Sequence, residues 1–260
     1  MKPMPSRAFL PLLVAAALHG PAPAARADPA LYPPIAPAYL AAEIPAIVRV
    51  SRGLLAPGSC SGVLITPRHV LTAAHCARGD ATRVVIFSPG SETLRLIVPV
   101  TQIALHPDNS PGMDTASIGT DLALLTLASD IAPSVALPLP LAPDDLPPGT
   151  PWLLAGYPNA AHTALHAQFD CQVARVNGAT IGSDCRVVSG FSGGAVLAET
   201  DAGWRLGAII SATLGDADSP LRALAAAIEP ATFPALGAAL AGQPSPALQI
   251  APTVPAPDRP

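Results

Sequence analysis

The sequence predicts an all-β protein made of two antiparallel β units joined by a proline-rich connection. Three observations carry that expectation. With 33 prolines and 20 glycines in 260 residues, nearly every apolar run is cut short, which leaves little room for long helices. The runs themselves are short, rich in leucine and β-branched residues, and follow one another at the spacing of antiparallel strands. Between two such series lies 129–150, SDIAPSVALPLPLAPDDLPPGT, too proline-rich for central strands. Half the residues are hydrophobic, ample for a core, and the length allows one or two domains.

In chain order, the first 27 residues place Lys2 and Arg7 before an apolar stretch from Ala8 to Leu18 and end in Ala25-Arg26-Ala27. A basic start, a short apolar run and a small-x-small site are the marks of a secretory signal peptide, so residues 1–27 are expected to be removed on export. The stretch is interrupted by Pro11 and falls short of the ~20 apolar residues a spanning helix needs. No membrane contact is expected after cleavage. Residues 28–44, rich in alanine and proline, read as an extended lead-in or a short propeptide.

The first β unit, 45–135, contains AIVRVS, SGVLITPRHVLTAAH, TRVVIFS, LRLIVPVTQIALH and TDLALLTLA. The linker is set at 136–150. The second unit, 151–242, contains PWLLAGYP, HAQFDCQVARV, DCRVVSG, GGAVLAET and WRLGAIISAT, then RALAAAIEP as a last strand. A short helix is expected from about Phe233, with Gly242 as its stop. The proline-rich tail 243–260 has few apolar anchors and reads as disordered.

Charge and cysteine content narrow the function. Of the 14 basic and 18 acidic residues, Lys2, Arg7 and Arg26 leave with the first 27 residues and no acid does, so the exported chain has a formal net charge of −7. Such a surface repels phosphate, and no nucleic acid partner is expected. Four cysteines remain, Cys60, Cys76, Cys171 and Cys185, an even number in an exported chain, for which disulfides are the default. No pair of them has the close spacing of a zinc knuckle. Neither a metal nor another cofactor is expected.

Hydrolysis by a serine nucleophile needs an imidazole to take the hydroxyl proton, a carboxylate to hold that imidazole in one tautomer, and N–H groups to bind the oxyanion. LTAAHC at 71–76 offers His75, TDLALLTL at 120–127 offers Asp121 at the head of a strand, and GFSGGA at 190–195 offers Ser192 with the amides of Gly190 and Ser192. Alone, each has a plain structural reading: a core histidine, a strand-start cap, a serine in a tight turn. Their order, with two β units to carry them, favours catalysis. A hydrolase with a strand-to-helix nucleophile elbow would run Ser, Asp, His instead.

With CSGVLITPRHVLTAAHC, LHPDNS, TDLALLTL, GFSGGAV and AIISA on hand, residues 45–240 resemble the trypsin-like (chymotrypsin-fold) serine peptidases, particularly the compact bacterial secreted ones. The resemblance implies two six-stranded antiparallel β-barrels with the site in the cleft between them. It implies disulfides Cys60–Cys76 and Cys171–Cys185, a polypeptide substrate, and a secreted or periplasmic monomer acting as a serine endopeptidase. Ser192 attacks, His75 carries the proton, Asp121 orients His75, and the Gly190 and Ser192 amides form the oxyanion hole. Ser211 contacts the aspartate, and Ser211 to Thr213, with Ala212 between, pairs with substrate backbone.

For the specificity pocket, the aspartate that family members cutting after Lys or Arg carry six residues before the nucleophile is replaced by Arg186. With Ser189 nearby, the pocket is read as small or apolar, or as acid-accepting if Arg186 points inward. Where zymogen-type relatives have an aspartate before the nucleophile to pair with a cut N-terminus, this chain has Phe191, expected to pack into the second barrel. Asp114, in PGMDTASIG, is a weaker orienting candidate because no strand follows it, and His106 of LHPDNS reads as structural. A noncatalytic relative using the fold for binding is the rival reading.

Overall fold

The computed structural model describes residues 44–53, 56, 58–79, 83–87, 96–112, 114–144, 146, 149–159, 164–214, 220–242 and 248–249. The expected signal peptide and most of the lead-in lie outside the described residues. Two sheets dominate, and apart from the tail pairing each is built from one of the two β units.

The first sheet contains β1 (Ile47–Ser51), β2 (Cys60–Thr66), β3 (His69–Thr72), β4 (Val84–Phe87), β5 (Leu96–Leu105) and β6 (Ala123–Leu127), in the order β5-β4-β1-β2-β3-β6. β5 and β6 also pair, from Val100–Leu127 to Leu105–Ala123, so the sheet closes into a six-stranded barrel. Closure requires one strand to serve two neighbours. Leu96–Pro99 pairs with β4, and from Val100 onward the strand pairs with β6. Pro99 sits at the handover, where a residue without an amide is tolerated. Val63, Leu64, Val70, Leu71, Val85 and Leu125 are completely buried.

The second sheet contains β7 (Trp152–Gly156), β8 (His166–Cys171), β9 (Val173–Asn177), β10 (Thr180–Ser183), β11 (Ala195–Thr200), β12 (Gly203–Thr213) and β13 (Ala223–Ala227), in the order β8-β7-β11-β12-β13-β10-β9. Its edge strands β8 and β9 are separated in the chain only by Gln172, so the curled sheet is joined through the covalent backbone and not by a closing ladder. Within β8, Asp170 has φ 58°, in the left-handed region that aspartate tolerates, where the register with β7 shifts. Counted as one bent strand, β8 and β9 make the unit six-stranded.

Residues 139–142 are stitched to both units. The Leu139 amide donates to the carbonyl of Leu64, while the Ala142 amide donates to the Leu206 carbonyl and the Leu206 amide to the Pro140 carbonyl. Three short helices complete the fold: α1 (Ala74–Ala77), α2 (Thr115–Gly119) and α3 (Pro234–Leu240). Helix α3 begins after Phe233 with Pro at the first turn, where its missing amide costs nothing, and Gly242 follows it at φ 72°. Within the tail read as disordered, Leu248–Gln249 forms a two-residue strand, β14, beside Ile103 and Gln102 of β5. Backbone pairing at an open edge needs no apolar side-chain pattern, so the sequence carries no sign of it. The rest of the tail lies outside the described residues.

Candidate active site

The site begins with Asp121, 5% exposed at the start of β6. Its backbone carbonyl accepts from the Ala74 amide at 3.1 Å, and its Oδ1 from the His75 amide at 2.9 Å, so one residue fastens the first turn of α1 at two points. Oδ2 receives the His75 ring through Nδ1 at 2.6 Å and the Ser211 hydroxyl at 2.6 Å. Burial pushes the Asp121 carboxyl up, but the bond and charge of the His75 ring, the Ser211 hydroxyl and the His75 amide outweigh it and hold the pKa below the ordinary value. A carboxylate in that state fixes the tautomer that protonates Nδ1 and leaves Nε2 as an acceptor. The imidazole is 40% exposed, so that second nitrogen has access to the cleft.

Ser192 comes from the loop before β11, and it lines the same cavity as His75. Its hydroxyl is not bonded to the imidazole. Oγ lies 3.4 Å from the carbonyl of Ser211 instead. Catalytic hydrogen bonds are often long or misaligned without substrate.

The loop is held from both β units. The Ser61 amide donates to the Ser192 carbonyl at 2.7 Å, and the Ser61 hydroxyl donates to the Gly190 carbonyl at 2.8 Å while accepting from the Tyr157 amide. The carbonyl of Ser189 accepts from the Asn159 amide at 2.9 Å, and that of Phe191 from the Gly194 amide at 2.7 Å. A trans peptide sets its N–H opposite its C=O. Fixing those two carbonyls therefore turns the Gly190 and Ser192 amides the other way, and neither donates to a backbone carbonyl of the described residues.

Two glycines here have no substitute. Gly190 has φ 102° and its absent Cβ would lie 2.4 Å from the Tyr157 carbonyl oxygen. Gly193 has φ 82°, and its Cβ would lie 2.1 Å from the oxygen of Ser61. Phe191 between them is fully buried, packed in the second unit's cluster with both Cys171 and Cys185. Ile47, the first residue of β1, lies opposite Val63, and its amide donates to the Ile44 carbonyl.

The cysteines pair as the resemblance implies. Cys60–Cys76 joins β2 to α1, and Cys171–Cys185 joins the end of β8 to the segment before the Ser192 loop. Cys60, Cys76 and His75 place ligand-type atoms within 4.8 Å of one another, but the two sulfurs are already bonded to each other and offer no thiolate.

Other expected residues separate. Ser211 is buried in β12 at the point where its register with β13 shifts, and Ala212 is 8% exposed while Thr213 is exposed. The ladder with β11 ends at Ile209; Ile210 still exchanges backbone bonds with Gly193 and Gly194, and from Ser211 onward no strand of the described residues pairs on that side. Arg186 is exposed, with its amide on Gln168, and does not point inward. Ser189 is also exposed and accepts from the Asn159 side chain.

Asp114 caps α2 through the amide and hydroxyl of Ser117, at 2.9 and 3.0 Å, so it has no part in orienting His75. His106 is buried against Phe233, with Nδ1 accepting from Asp108 and Nε2 bonded to Thr232, which ties the first barrel to the start of α3. Ser61 and Asn159 were missed. A lone serine after a cysteine and a lone asparagine after a proline carry no sequence signal of contacts 129 and 30 residues away.

Two antiparallel β units, with His75 and Asp121 on the first and Ser192 on the second, define a chymotrypsin-like architecture. The chain belongs to the trypsin family: the family profile described as Trypsin matches residues 39–221. It is similar to a tryptase of Mus musculus, 34% identical over 113 residues, which are 38% of each chain. It is also similar to serine protease 56 of Homo sapiens, 36% identical over 38% of this chain and 17% of that protein. With chymotrypsin-C of Bos taurus it shares 31% identity over 38% of each chain. The alignments thus span well under half the length of these relatives. Among solved structures, mouse neuropsin superposes with a TM-score of 0.57 at 19% identity, covering 71% of this chain and 89% of that one, a likeness of fold. Among the described residues no helix is long and apolar enough to cross a membrane.

Proposed function

We propose that the protein is a secreted serine endopeptidase that cuts polypeptides through an acyl-enzyme formed on Ser192. The observation that carries this reading is the Asp121 carboxylate, buried and held by the His75 ring and the Ser211 hydroxyl at 2.6 Å each, beside a cavity that Ser192 shares. Ser192 Oγ turns from the Ser211 carbonyl to His75 and attacks the scissile carbonyl carbon while Nε2 takes its proton. The oxyanion meets the Gly190 and Ser192 amides, a stabilisation of ~2.7–4 kcal/mol per donor. His75 then hands the proton to the leaving amine, the C–N bond breaks, and water repeats the sequence on the ester to free Ser192.

The edge of β12 from Ser211 to Thr213, which no strand of the described residues pairs on the β11 side, supports pairing with an extended substrate strand. An exposed Arg186, with Val187 buried and Val188 half-buried beside it, supports a small or apolar pocket over an acid-accepting one. Every group in the scheme comes from one chain, in keeping with a monomer, and two disulfides are in keeping with export. The relatives named above are animal proteins and lend no support to the narrower likeness to bacterial members. The experiment is hydrolysis of an unfolded protein substrate by the wild type, Ser192→Ala and His75→Ala. Each variant is expected to lose ~10⁴-fold or more while keeping its circular dichroism. Near-native turnover by Ser192→Ala would overturn the proposal.

A further inference from the structure

Three residues of the cavity at Ser192 form a cluster that the catalytic scheme uses only in part. Cys60, His75 and Cys76 all line it, and their sulfurs and a ring nitrogen lie within 4.8 Å of one another. While Cys60 and Cys76 are bonded to each other, they offer a metal no thiolate. The two disulfides differ, however, in what a reductant can reach. Cys171 and Cys185 are 2% and 5% exposed inside the second unit's core cluster, whereas Cys60 and Cys76 are half-buried on the cavity wall. Thiol exchange requires a thiolate to meet the sulfur it attacks, so a small dithiol opens the Cys60–Cys76 bond first.

What remains after that reduction is held by other bonds. Cys60 stays opposite Val50 in the β1–β2 ladder, and the next amide, that of Ser61, stays on the Ser192 carbonyl. Cys76 keeps its amide on the Ala73 carbonyl, and Asp121 keeps the amides of Ala74 and His75. Two thiols and an imidazole are thus left gathered. Zinc at ~2.3 Å from sulfur and ~2.0–2.1 Å from nitrogen sets tetrahedral ligand atoms roughly 3.5–3.8 Å apart, inside the 4.8 Å that encloses these three. Asp121 accepts from Nδ1, the carboxylate partner that metal-bound histidines carry on the nitrogen they do not use, and Nε2 is left as the ligand.

We propose that, once Cys60–Cys76 is reduced, Cys60, Cys76 and His75 bind a zinc ion that switches the enzyme off. A dithiol supplies two electrons and two protons and leaves as its own disulfide. Zinc then displaces one proton from each thiol to solvent, and water from the cavity takes the fourth position. Metal-bound Nε2 has no lone pair for the Ser192 proton, so hydrolysis stops. The metal site stands on its own geometry, while its effect on turnover rests on the catalytic reading above.

The test treats the full chain with dithiothreitol, removes the reductant without oxygen, and titrates with cobalt(II), whose visible spectrum reports thiolate ligands and tetrahedral geometry, and then with zinc. Alkylation and peptide mapping are expected to find Cys60 and Cys76 reduced with Cys171–Cys185 intact. The reduced chain should keep its circular dichroism and bind one metal per molecule with thiolate-to-cobalt absorption, which the oxidised chain should lack. Asp121→Asn should weaken the site by about 10–100-fold, and His75→Ala by more. Zinc should abolish the reaction of the reduced chain with a fluorophosphonate, and a chelator should restore it. Unfolding on reduction, no thiolate-to-cobalt absorption, or an affinity unmoved by His75→Ala would overturn the metal site. Labelling lost before zinc is added, or unchanged by it, would overturn the switch. A chain that binds cobalt in this way but takes no label in either redox state keeps the metal site and defeats the catalytic reading.

Discussion

Replacing Phe191 by alanine tests whether the loop that bears Ser192 is held by packing. The ring is fully buried among Cys171, Cys185, Val187, Val196 and Ile210, and the Phe191 amide bonds to the Val188 carbonyl at 3.0 Å. Truncation of such a ring costs about 3–5 kcal/mol through lost transfer energy and the cavity left behind. At ~2–4 °C per kcal/mol for a domain of this size, the melting temperature should fall by roughly 6–20 °C. The Phe191 carbonyl also fixes the Ser192 amide through Gly194, so a loop that shifts into the cavity should misaim an oxyanion donor. Thermal melts and steady-state kinetics on a peptide amide should therefore show lower stability and a kcat that falls more than KM changes. Loss of stability below about 1 kcal/mol with unchanged kcat would refute packing as what holds the loop. A companion experiment compares chains beginning at Asp28 and at Ile44. Both are expected to be active, because Phe191 offers no charge to a new N-terminus; activity only in the shorter chain would establish an N-terminal switch.

Ser211→Ala removes a hydroxyl bonded to an ionised carboxylate, an interaction worth roughly 1.5–3 kcal/mol, and should lower kcat/KM and move acid unfolding to higher pH. The sign follows from Asp121: its folded pKa is depressed, so its contribution is present above the ordinary value of 3.8 and is lost as pH falls through the folded value. His106 gives a second pH dependence. Burial lowers its pKa against the opposing charges of Asp108 and Glu229, so stability is full above 6.5 and declines as pH drops through the lowered pKa; melts of His106→Gln, which cannot titrate, should lose that component. Gly193→Ala should yield no active folded enzyme, since the strain of φ 82° and the contact with Ser61 fall on one residue.

The parts of the fold legible in the sequence were those written in local pattern. Period and punctuation place β2, β3, β6, β11 and β12, and the proline at the start and glycine after the end place α3. Helix α2 was passed over although Asp114 and Ser117 have cap spacing, because five residues give no apolar period. The connection from β8 to β9 looked like one strand, and the structure divides it at Gln172, whose amide donates to the Asp184 carboxylate. At the site, the histidine, aspartate and serine stand in marked sequence contexts, whereas their supports do not. Ser61, by its amide and hydroxyl, and Asn159, by its amide and side chain, reach atoms brought near by the docking of the two units, and no residue pattern encodes a contact that only tertiary packing creates. Arg186 was weighed as a pocket residue from its offset to Ser192 alone; in the structure it is exposed, next to the Cys171–Cys185 bond, with its amide on Gln168.

Ser192 as the nucleophile is tested most directly by a fluorophosphonate, which reacts with an activated serine hydroxyl and not with an ordinary one. Intact-mass measurement of the folded chain should show one adduct per molecule, and peptide mapping should place it on Ser192. His75→Ala, which removes the proton acceptor, should leave the chain unlabelled on the same timescale. A well-folded wild type that takes no label, or takes it at another residue, would contradict the account and leave the fold serving as a binding module.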